Sequence, residues 1–101
     1  MARPIQHPAA RDLTLDAILH ALSDPIRRKI VRKLMSSDGL NCAGACDALP
    51  PSTISFHHNV LREAGIIRSE KKGVSVINRL RRDDLDSRFP GLIDSILSQK
   101  D

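Results

Sequence analysis

Aromatic side chains, cysteines and long apolar runs are all scarce in this 101-residue chain, and each scarcity excludes a class of protein. Aromatic residues make up 2% of the sequence. This argues against binding of single-stranded nucleic acid, which relies on bases stacked on aromatic rings. No apolar run approaches the length of a membrane span. The first residues contain no apolar segment of the secretory type, so we expect no signal peptide.

The chain contains two cysteines, Cys42 and Cys46. Without a secretory signal, we expect a reducing, cytoplasmic location. Their spacing would place both thiols on one face of a helix, where they would bind a soft metal or respond to oxidation. Two ligands do not complete a metal site, and a disulfide between these positions is awkward on a regular helix. Packing of the short helix is the interpretation we favour, and we predict neither a metal site nor a cofactor.

The sequence also lacks the groups of an active site, so we predict that the protein is not an enzyme. No glycine-rich phosphate loop appears, and His57-His58 has no carboxylate partner nearby in sequence.

What the chain does have is positive charge, with a net charge of +4 and a pI of about 9.6. This charge favours a polyanionic partner, and the lack of aromatic residues favours double-stranded DNA. A solvated basic surface without a partner would have the same charge.

One stretch, residues 51–67, predicts the helix around which the rest of the chain is arranged. Ser52 is suited to cap its first turn, and Gly65 is suited to end it, because glycine adopts the left-handed conformation without a Cβ penalty. A core-facing stripe is predicted from Ile54, His58 and Leu61. Side chains pointing away from that stripe are those of Ser55, Phe56, Asn59 and Glu63, with Thr53, His57, Val60 and Arg62 on the flanks. A polar outer face with few carboxylates is suited to the major groove.

Three helices are predicted before this one, at residues 13–22, 25–36 and 42–48. The second begins with Asp24 as its cap and Pro25 at its first position. Its basic run is interpreted as a solvated face, with contact to DNA phosphates as the alternative. The third helix and the central helix, separated by a tight turn, predict a helix-turn-helix.

A β-hairpin and a last helix are predicted after Gly65. Strands at residues 66–70 and 74–80 flank a turn at residues 71–73. The basic side chains near this turn, which would contact phosphates or the minor groove, are Arg68, Lys71, Lys72 and Arg79. Residues 81–87 are expected to form a linker or a short helical turn. An amphipathic helix follows at residues 90–99, and its apolar surface is covered either by a second subunit or within its own.

The predicted fold is therefore mostly α with a small β-hairpin. It is a winged helix-turn-helix with five helices, four before the hairpin and one after it, assembled as a homodimer. Residues 1–11 are expected to form a flexible N-terminal arm, and residues 12–99 the DNA-binding and dimerisation domain. The predicted dimer interface combines the apolar faces of the first and last helices: Leu15, Ile18, Leu19, Leu22, Phe89, Leu92, Ile93, Ile96 and Leu97.

Three segments carry a family resemblance, which covers about residues 13–98. Residues 22–27, LSDPIR, resemble the start of the second helix in the ArsR family of bacterial winged-helix repressors. Residues 52–67, STISFHHNVLREAGII, resemble that family's recognition helix, and residues 84–92, DLDSRFPGL, are similar to the closing segment of one subgroup. Phe56 stands where the family often has histidine. His58 stands where an apolar residue is usual, and we expect it in the core.

The resemblance implies a homodimeric repressor, joined through its first and last helices, whose two recognition helices enter successive major grooves of a palindromic operator. The residues predicted to contact DNA, from the resemblance and from the charge pattern together, are Ser52, Thr53, Ser55, Phe56, His57, Asn59, Arg62, Arg68, Lys71 and Lys72. Two alternatives stay open. One is a repressor that senses thiol oxidation or metal through its cysteines, and the other is a winged helix used for protein interaction. The sequence identifies no effector.

Overall fold

A computed structural model of the chain describes residues 5–37, 40–41 and 49–100. The described α-helices, numbered in chain order, are α1 (Leu15–Ala21), α2 (Pro25–Met35), α3 (Pro51–Glu63), α4 (Arg82–Arg88) and α5 (Leu92–Leu97). The strands are β1 (Leu40–Asn41), β2 (Ile67–Lys72) and β3 (Ser75–Leu80). The helix predicted at residues 42–48, with Cys42 and Cys46, lies outside the described residues.

The start of α2 follows the local sequence, as predicted. The Asp24 carboxylate accepts hydrogen bonds from the backbone N–H groups of Ile26 and Arg27, and Pro25 occupies the first position. These bonds use amide groups that would otherwise have no partner within the helix.

The start of α3 differs from the prediction, because Pro50 rather than Ser52 is the cap residue. The carbonyl of Pro50 accepts from the backbone N–H groups of Thr53 and Ile54, which places Ser52 inside the first turn. Pro51 favours this earlier start, since its fixed φ suits the first helical position and it has no N–H to satisfy. At the other end, Gly65 has a φ of +82°, as its predicted role at the helix end requires.

The three strands form one antiparallel sheet in the order β1-β3-β2. We call its β2–β3 hairpin, residues 67–80, the wing. Its turn is formed by Gly73, with a φ of +60°, and the fully exposed Val74. The predicted turn at residues 71–73 and the predicted second strand from residue 74 are therefore wrong in detail. Glycine alone supplies the positive φ that a two-residue hairpin turn needs, so both lysines before it continue the strand.

The segment after the wing contains two helices: α4 lies where a linker or a short helical turn was predicted, and α5 lies within the predicted last helix. Arg82 joins them, since its guanidinium lies 3.0 Å from Asp86 Oδ2 in α4 and 2.6 Å from Asp94 Oδ2 in α5. Gly91, with a φ of +77°, separates the two helices. The prediction of a mostly α fold with a winged helix-turn-helix is confirmed.

The core is formed by apolar side chains from all the described α-helices and from β2. Its buried members are Leu13, Ile18, Ala21, Leu22, Ile30, Val31, Leu34, Ile54, Leu61, Ala64, Ile66, Ile67, Leu85, Ile93 and Leu97. Among the described residues, no helix is long and apolar enough to cross a membrane.

Several arginines of α2 cap other helices, which neither interpretation of the basic run predicted. Arg27 Nε donates to the Ala21 carbonyl at 2.6 Å, and Arg28 Nη1 donates to the Leu22 carbonyl at 2.8 Å. Arg32 donates to the carbonyls of Leu97 and Gln99 at 3.1 and 2.9 Å. Since the last carbonyls of a helix have no partner within it, these bonds stabilise the ends of α1 and α5.

The described part of the predicted N-terminal arm is in contact with the domain. Residues Ala10–Asp12 form a 3₁₀ turn. Arg88 Nη1 donates to the carbonyl of Arg11 at 3.2 Å, and its Nη2 donates to that of Leu13 at 2.8 Å. Arg88 therefore holds the end of this segment against α4.

Candidate nucleic-acid interface

The first two turns of α3 present a small polar surface to solvent. Ser52 and Ser55 are exposed, Thr53 is half-buried, and 58% of the surface of Phe56 is accessible. Helical spacing brings Ser52, Ser55 and Phe56 to one side, with an apolar ring next to two hydroxyls. Hydroxyl groups hydrogen-bond to base edges or phosphates, and an apolar ring contacts thymine methyl groups, so this surface matches the chemistry of a major groove.

His57 was expected on the DNA-facing flank, but the structure places it inside the protein. Only 6% of its surface is exposed, and its Nδ1 lies 3.2 Å from Arg27 Nη1. Because a guanidinium only donates, His57 Nδ1 accepts this bond and is unprotonated. The His57 ring also contacts the Phe56 ring in an edge-on arrangement, with 5.4 Å between their centroids. His57 is therefore a support for Phe56.

His58 is a core residue, as predicted, with 1% of its surface exposed. Its Nδ1 lies 2.9 Å from the Ile54 carbonyl one turn earlier, and its Nε2 is buried without a hydrogen-bond partner among the described residues. Burial lowers the pKa of His58, the hydrogen bond to the Ile54 carbonyl opposes this effect, and the charge of Arg62 lowers the pKa further. The ring is neutral at physiological pH and packs as part of the α3 stripe.

The second half of α3 is hydrogen-bonded to the wing. Arg62 Nε donates to Ser69 Oγ at 2.9 Å, and Arg62 Nη1 donates to Asn59 Oδ1 at 2.6 Å. Ser69 Oγ in turn donates to Asn78 Oδ1 at 2.5 Å across the hairpin. Arg62 was predicted as a phosphate contact. In the structure it connects the helix to the wing, and neither Ser69 nor Asn78 was identified from the sequence.

The basic residues of the wing lie on both of its faces. Lys71 shares a face with Ser69, which is the face that contacts α3, because side chains alternate along a strand. Arg68 and Lys72 lie on the opposite face with Glu70. There Lys72 Nζ is 3.8 Å and Arg79 Nη1 is 3.5 Å from the Glu70 carboxylate. Of the wing residues predicted to contact DNA, Lys71 is the one that shares a face of β2 with Ser69, the residue bonded to α3.

The residues predicted to form a dimer interface differ in their exposure. Leu15 and Leu19 on α1 are 44% and 45% exposed, which is high for leucine. Phe89, Leu92 and Ile96 are half-buried at the edge of the core. The remaining four pack inside their own subunit: Ile18, Leu22, Ile93 and Leu97. An apolar strip is thus available on α1, and α5 contributes mainly to the core of its own chain.

Metal binding has no support in the part of the chain that the structure describes, where no three His, Cys, Asp or Glu side chains are close enough to hold an ion. Cys42 and Cys46, the predicted sensing candidates, lie outside that part.

The sequence has relatives among known regulators. Residues 22–70 match the family described as a helix-turn-helix domain. The HTH-type transcriptional regulator YceK of Bacillus subtilis is 33% identical over 82 residues, covering 78% of this chain and 82% of that protein. The HTH-type transcriptional regulator MJ1325 of Methanocaldococcus jannaschii is 36% identical over 58 residues, covering 55% of this chain and 65% of that protein.

The fold is also similar to solved structures. An ArsR family transcriptional regulator superposes with a TM-score of 0.67 at 18% identity, covering 89% of this chain and 92% of that chain. An ArsR-like transcriptional regulator from Rhodococcus sp. RHA1 superposes with a TM-score of 0.60 at 25% identity, covering 83% of this chain and 86% of that chain.

Proposed function

Because the chain belongs to the ArsR family of helix-turn-helix transcriptional regulators, we propose that this DNA-binding regulator is a homodimeric repressor. Its two copies of α3 enter successive major grooves of a palindromic operator in the cytoplasm. The exposed face at the start of α3 carries this proposal, since it combines hydroxyl groups with an aromatic ring and has no carboxylate. Binding there occludes a promoter, which is sufficient for repression by a domain of residues 12–99.

Base recognition is assigned to the first two turns of α3. Ser52, Thr53 and Ser55 supply hydroxyl donors and acceptors, and Phe56 supplies an apolar contact for a thymine methyl. Asn59 lies one turn further on, where Arg62 holds its Oδ1 and leaves its amide N–H₂ group available as a donor. His57 is removed from the set of direct contacts, because its ring is buried against Arg27.

Phosphate contacts are assigned to the wing, which positions the dimer on the duplex. Lys71 is the principal candidate because it shares the α3-facing side of the hairpin. Arg68 and Lys72 extend the positive charge to the outer face of the wing. Such contacts set orientation and affinity without reading sequence.

The twofold interface is assigned to α1 together with the edge of α5. Leu15 and Leu19 expose an apolar strip, which a second copy of the same strip would cover. The half-buried Phe89, Leu92 and Ile96, at the end of α4 and in α5, are assigned to the edge of this interface.

An electrophoretic mobility shift with the DNA upstream of the protein's own gene tests the proposal directly. We expect a specific complex that survives unlabelled nonspecific competitor and weakens steeply with added salt. Sedimentation of the free protein should give a dimer, and Leu19→Glu should give a monomer with weaker DNA binding. A wild-type protein that binds all duplexes equally, or binds as a monomer, would contradict the proposal.

The same assay distinguishes the alternatives that involve the cysteines or a protein partner. Loss of the complex on oxidation or metal addition, abolished in Cys42→Ser/Cys46→Ser, would establish a sensing repressor. Absence of any specific complex, followed by an empty genome-wide binding selection, would favour a winged helix that binds protein.

A further inference from the structure

The chain before α1 lies across the junction between α3 and the wing. His7 Nε2 accepts a hydrogen bond from the backbone N–H of Ser69 at 2.9 Å. The next residue is held as well, since the buried Arg81 donates through Nη1 to the Pro8 carbonyl at 2.8 Å. Ser69 belongs to β2, the edge strand of the sheet, so His7 occupies a backbone donor that no neighbouring strand uses.

The same segment covers the turn that joins α3 to β2. A Cβ added at Gly65 would meet the side chains of Leu13 and Pro8, so the turn and the N-terminal segment are in close contact. The turn is thus enclosed by chain that is distant in sequence, and the angle between α3 and the wing depends on that chain staying docked.

The docking contact continues into the surface assigned to DNA. Ser69, whose backbone N–H donates to His7, also accepts a hydrogen bond through its Oγ from Arg62 Nε at 2.9 Å. Arg62 donates in turn to Asn59 Oδ1 on the exposed side of α3. A chain of hydrogen bonds therefore runs from His7 through Ser69 and Arg62 to Asn59.

We propose that His7 is a positioning residue for DNA binding, which docks the N-terminal segment and fixes the wing relative to α3 only while its imidazole is neutral. The proposal rests on the function assigned above and adds a regulatory property to it: affinity for DNA falls as His7 becomes protonated.

The geometry gives this dependence a definite chemical cause. A backbone N–H only donates, so His7 Nε2 accepts and carries no proton. Protonation of His7 Nε2 would place its N–H opposite the backbone N–H of Ser69 and break the hydrogen bond. It would also add a positive charge near Arg62 of α3, Arg68 of β2 and Arg81 before α4. Burial lowers the pKa of His7, and the charges of Arg68, Arg62 and Arg81 lower it further.

The lowered pKa of docked His7 determines the direction in which pH acts on docking. The docked state binds protons more weakly than the undocked state, whose histidine titrates near its ordinary pKa of about 6.5. Docking is therefore complete above about pH 6.5 and is lost progressively as the pH falls through the lower, docked pKa. This is opposite to the general tendency of a protein to bind DNA more tightly when it gains positive charge.

The test compares His7→Gln and His7→Ala with the wild type in DNA-binding titrations between about pH 5.5 and pH 8, on a duplex selected by the wild-type protein. Glutamine retains an acceptor but does not titrate, whereas alanine removes the acceptor. The matched control is His20→Gln, which changes an exposed histidine on α1.

At pH 8 we expect His7→Ala to bind about two- to tenfold more weakly than the wild type, and His7→Gln to recover most of that loss. At low pH the wild type and His20→Gln should lose affinity, and His7→Gln should lose less. Equal pH profiles for the wild type and His7→Gln, or wild-type affinity for His7→Ala at pH 8, would overturn the proposal.

A measurement without DNA separates this proposal from the proposed function. NMR titration of the free protein should show a His7 pKa below its ordinary value of about 6.5, with the Ser69 amide resonance shifting at the same midpoint. If the titration midpoints of the His7 ring and the Ser69 amide differ, the docking proposal fails even where the protein binds DNA. If they coincide and no duplex is bound, the docking holds and the repressor assignment fails.

Discussion

Helix α2 and the wing both carry runs of positive charge, but these charges have different partners in the folded chain. In α2, Arg27 donates to the last carbonyl of α1, and Arg32 donates to the last carbonyl of α5 and to that of Gln99 just beyond it. In the wing, Arg68, Lys71 and Lys72 extend into solvent on an exposed hairpin. Sequence composition alone does not separate these two sets of cations.

The difference shows that position relative to a helix end decides how a cation is used. Helices α1 and α5 contain seven and six residues, too few to be stable alone, and their last carbonyls have no partner within the helix. The arginines of α2 lie beside these ends and donate to them. The wing offers no helix end, and its exposed Arg68 and Lys71 can contact phosphates.

Removal of the Arg27 side chain should give the largest effect and should act on stability. Arg27→Ala leaves the Ala21 carbonyl and His57 Nδ1 buried without a donor, which we expect to lower the free energy of unfolding by about 3 kcal/mol. Urea denaturation measures this, with the exposed Lys29→Ala on the same helix as the control. A loss below about 1 kcal/mol would show that water replaces the guanidinium.

Arg32→Ala should have the next largest effect, and the effect should be local. The carbonyls of Leu97 and Gln99 lose their donors, so we expect a cost of about 2 kcal/mol and faster amide exchange throughout α5. Exchange rates in α3 serve as the internal reference. Uniformly faster exchange in both helices would mean that Arg32 supports the whole fold.

Local features of this fold could be predicted from the sequence, and contacts between distant segments could not. Asp24, Pro25 and Gly65 act through bonds and dihedral angles within a few residues of themselves, so their roles were visible in the sequence. His57 is different, since its partner Arg27 is 30 residues away. A helical projection placed His57 on a flank, and only the packing of α2 decides that this flank is inside.

The candidate site shows the same limit. The exposed Ser52, Ser55 and Phe56 follow from helical periodicity alone. The network that ties Arg62 to the wing depends on Ser69 and on the hairpin register, and the pattern for a phosphate-binding arginine looks the same in sequence. The sequence predicts only an N-terminal arm around His7, because no local pattern indicates which backbone amide a remote histidine will meet.

Phe56→Ala tests whether the exposed first two turns of α3 read bases, in contrast to the second half of the helix, which is hydrogen-bonded to the wing. We expect a change in the preferred bases, with a loss of about 1–2 kcal/mol on the selected operator and little loss on nonspecific duplexes. Ser55→Ala should act in the same way at a different base position. Binding selections with each variant measure both effects. Equal losses on all sequences would mean that these side chains hold α3 in place and do not read bases.

The smallest effects should come from the wing, where Lys71→Ala and Lys72→Ala form a matched pair. Both remove one exposed lysine from β2, but from opposite faces of the hairpin. Loss of one phosphate contact should reduce the slope of log K against log salt by about 0.9, and we expect this for Lys71→Ala on every sequence. Lys72 already lies near Glu70, so Lys72→Ala should change the slope much less. A larger change in slope for Lys72→Ala than for Lys71→Ala would mean that the outer face of the wing contacts the DNA. The assignment of the α3-facing side of the wing to phosphates would then be wrong.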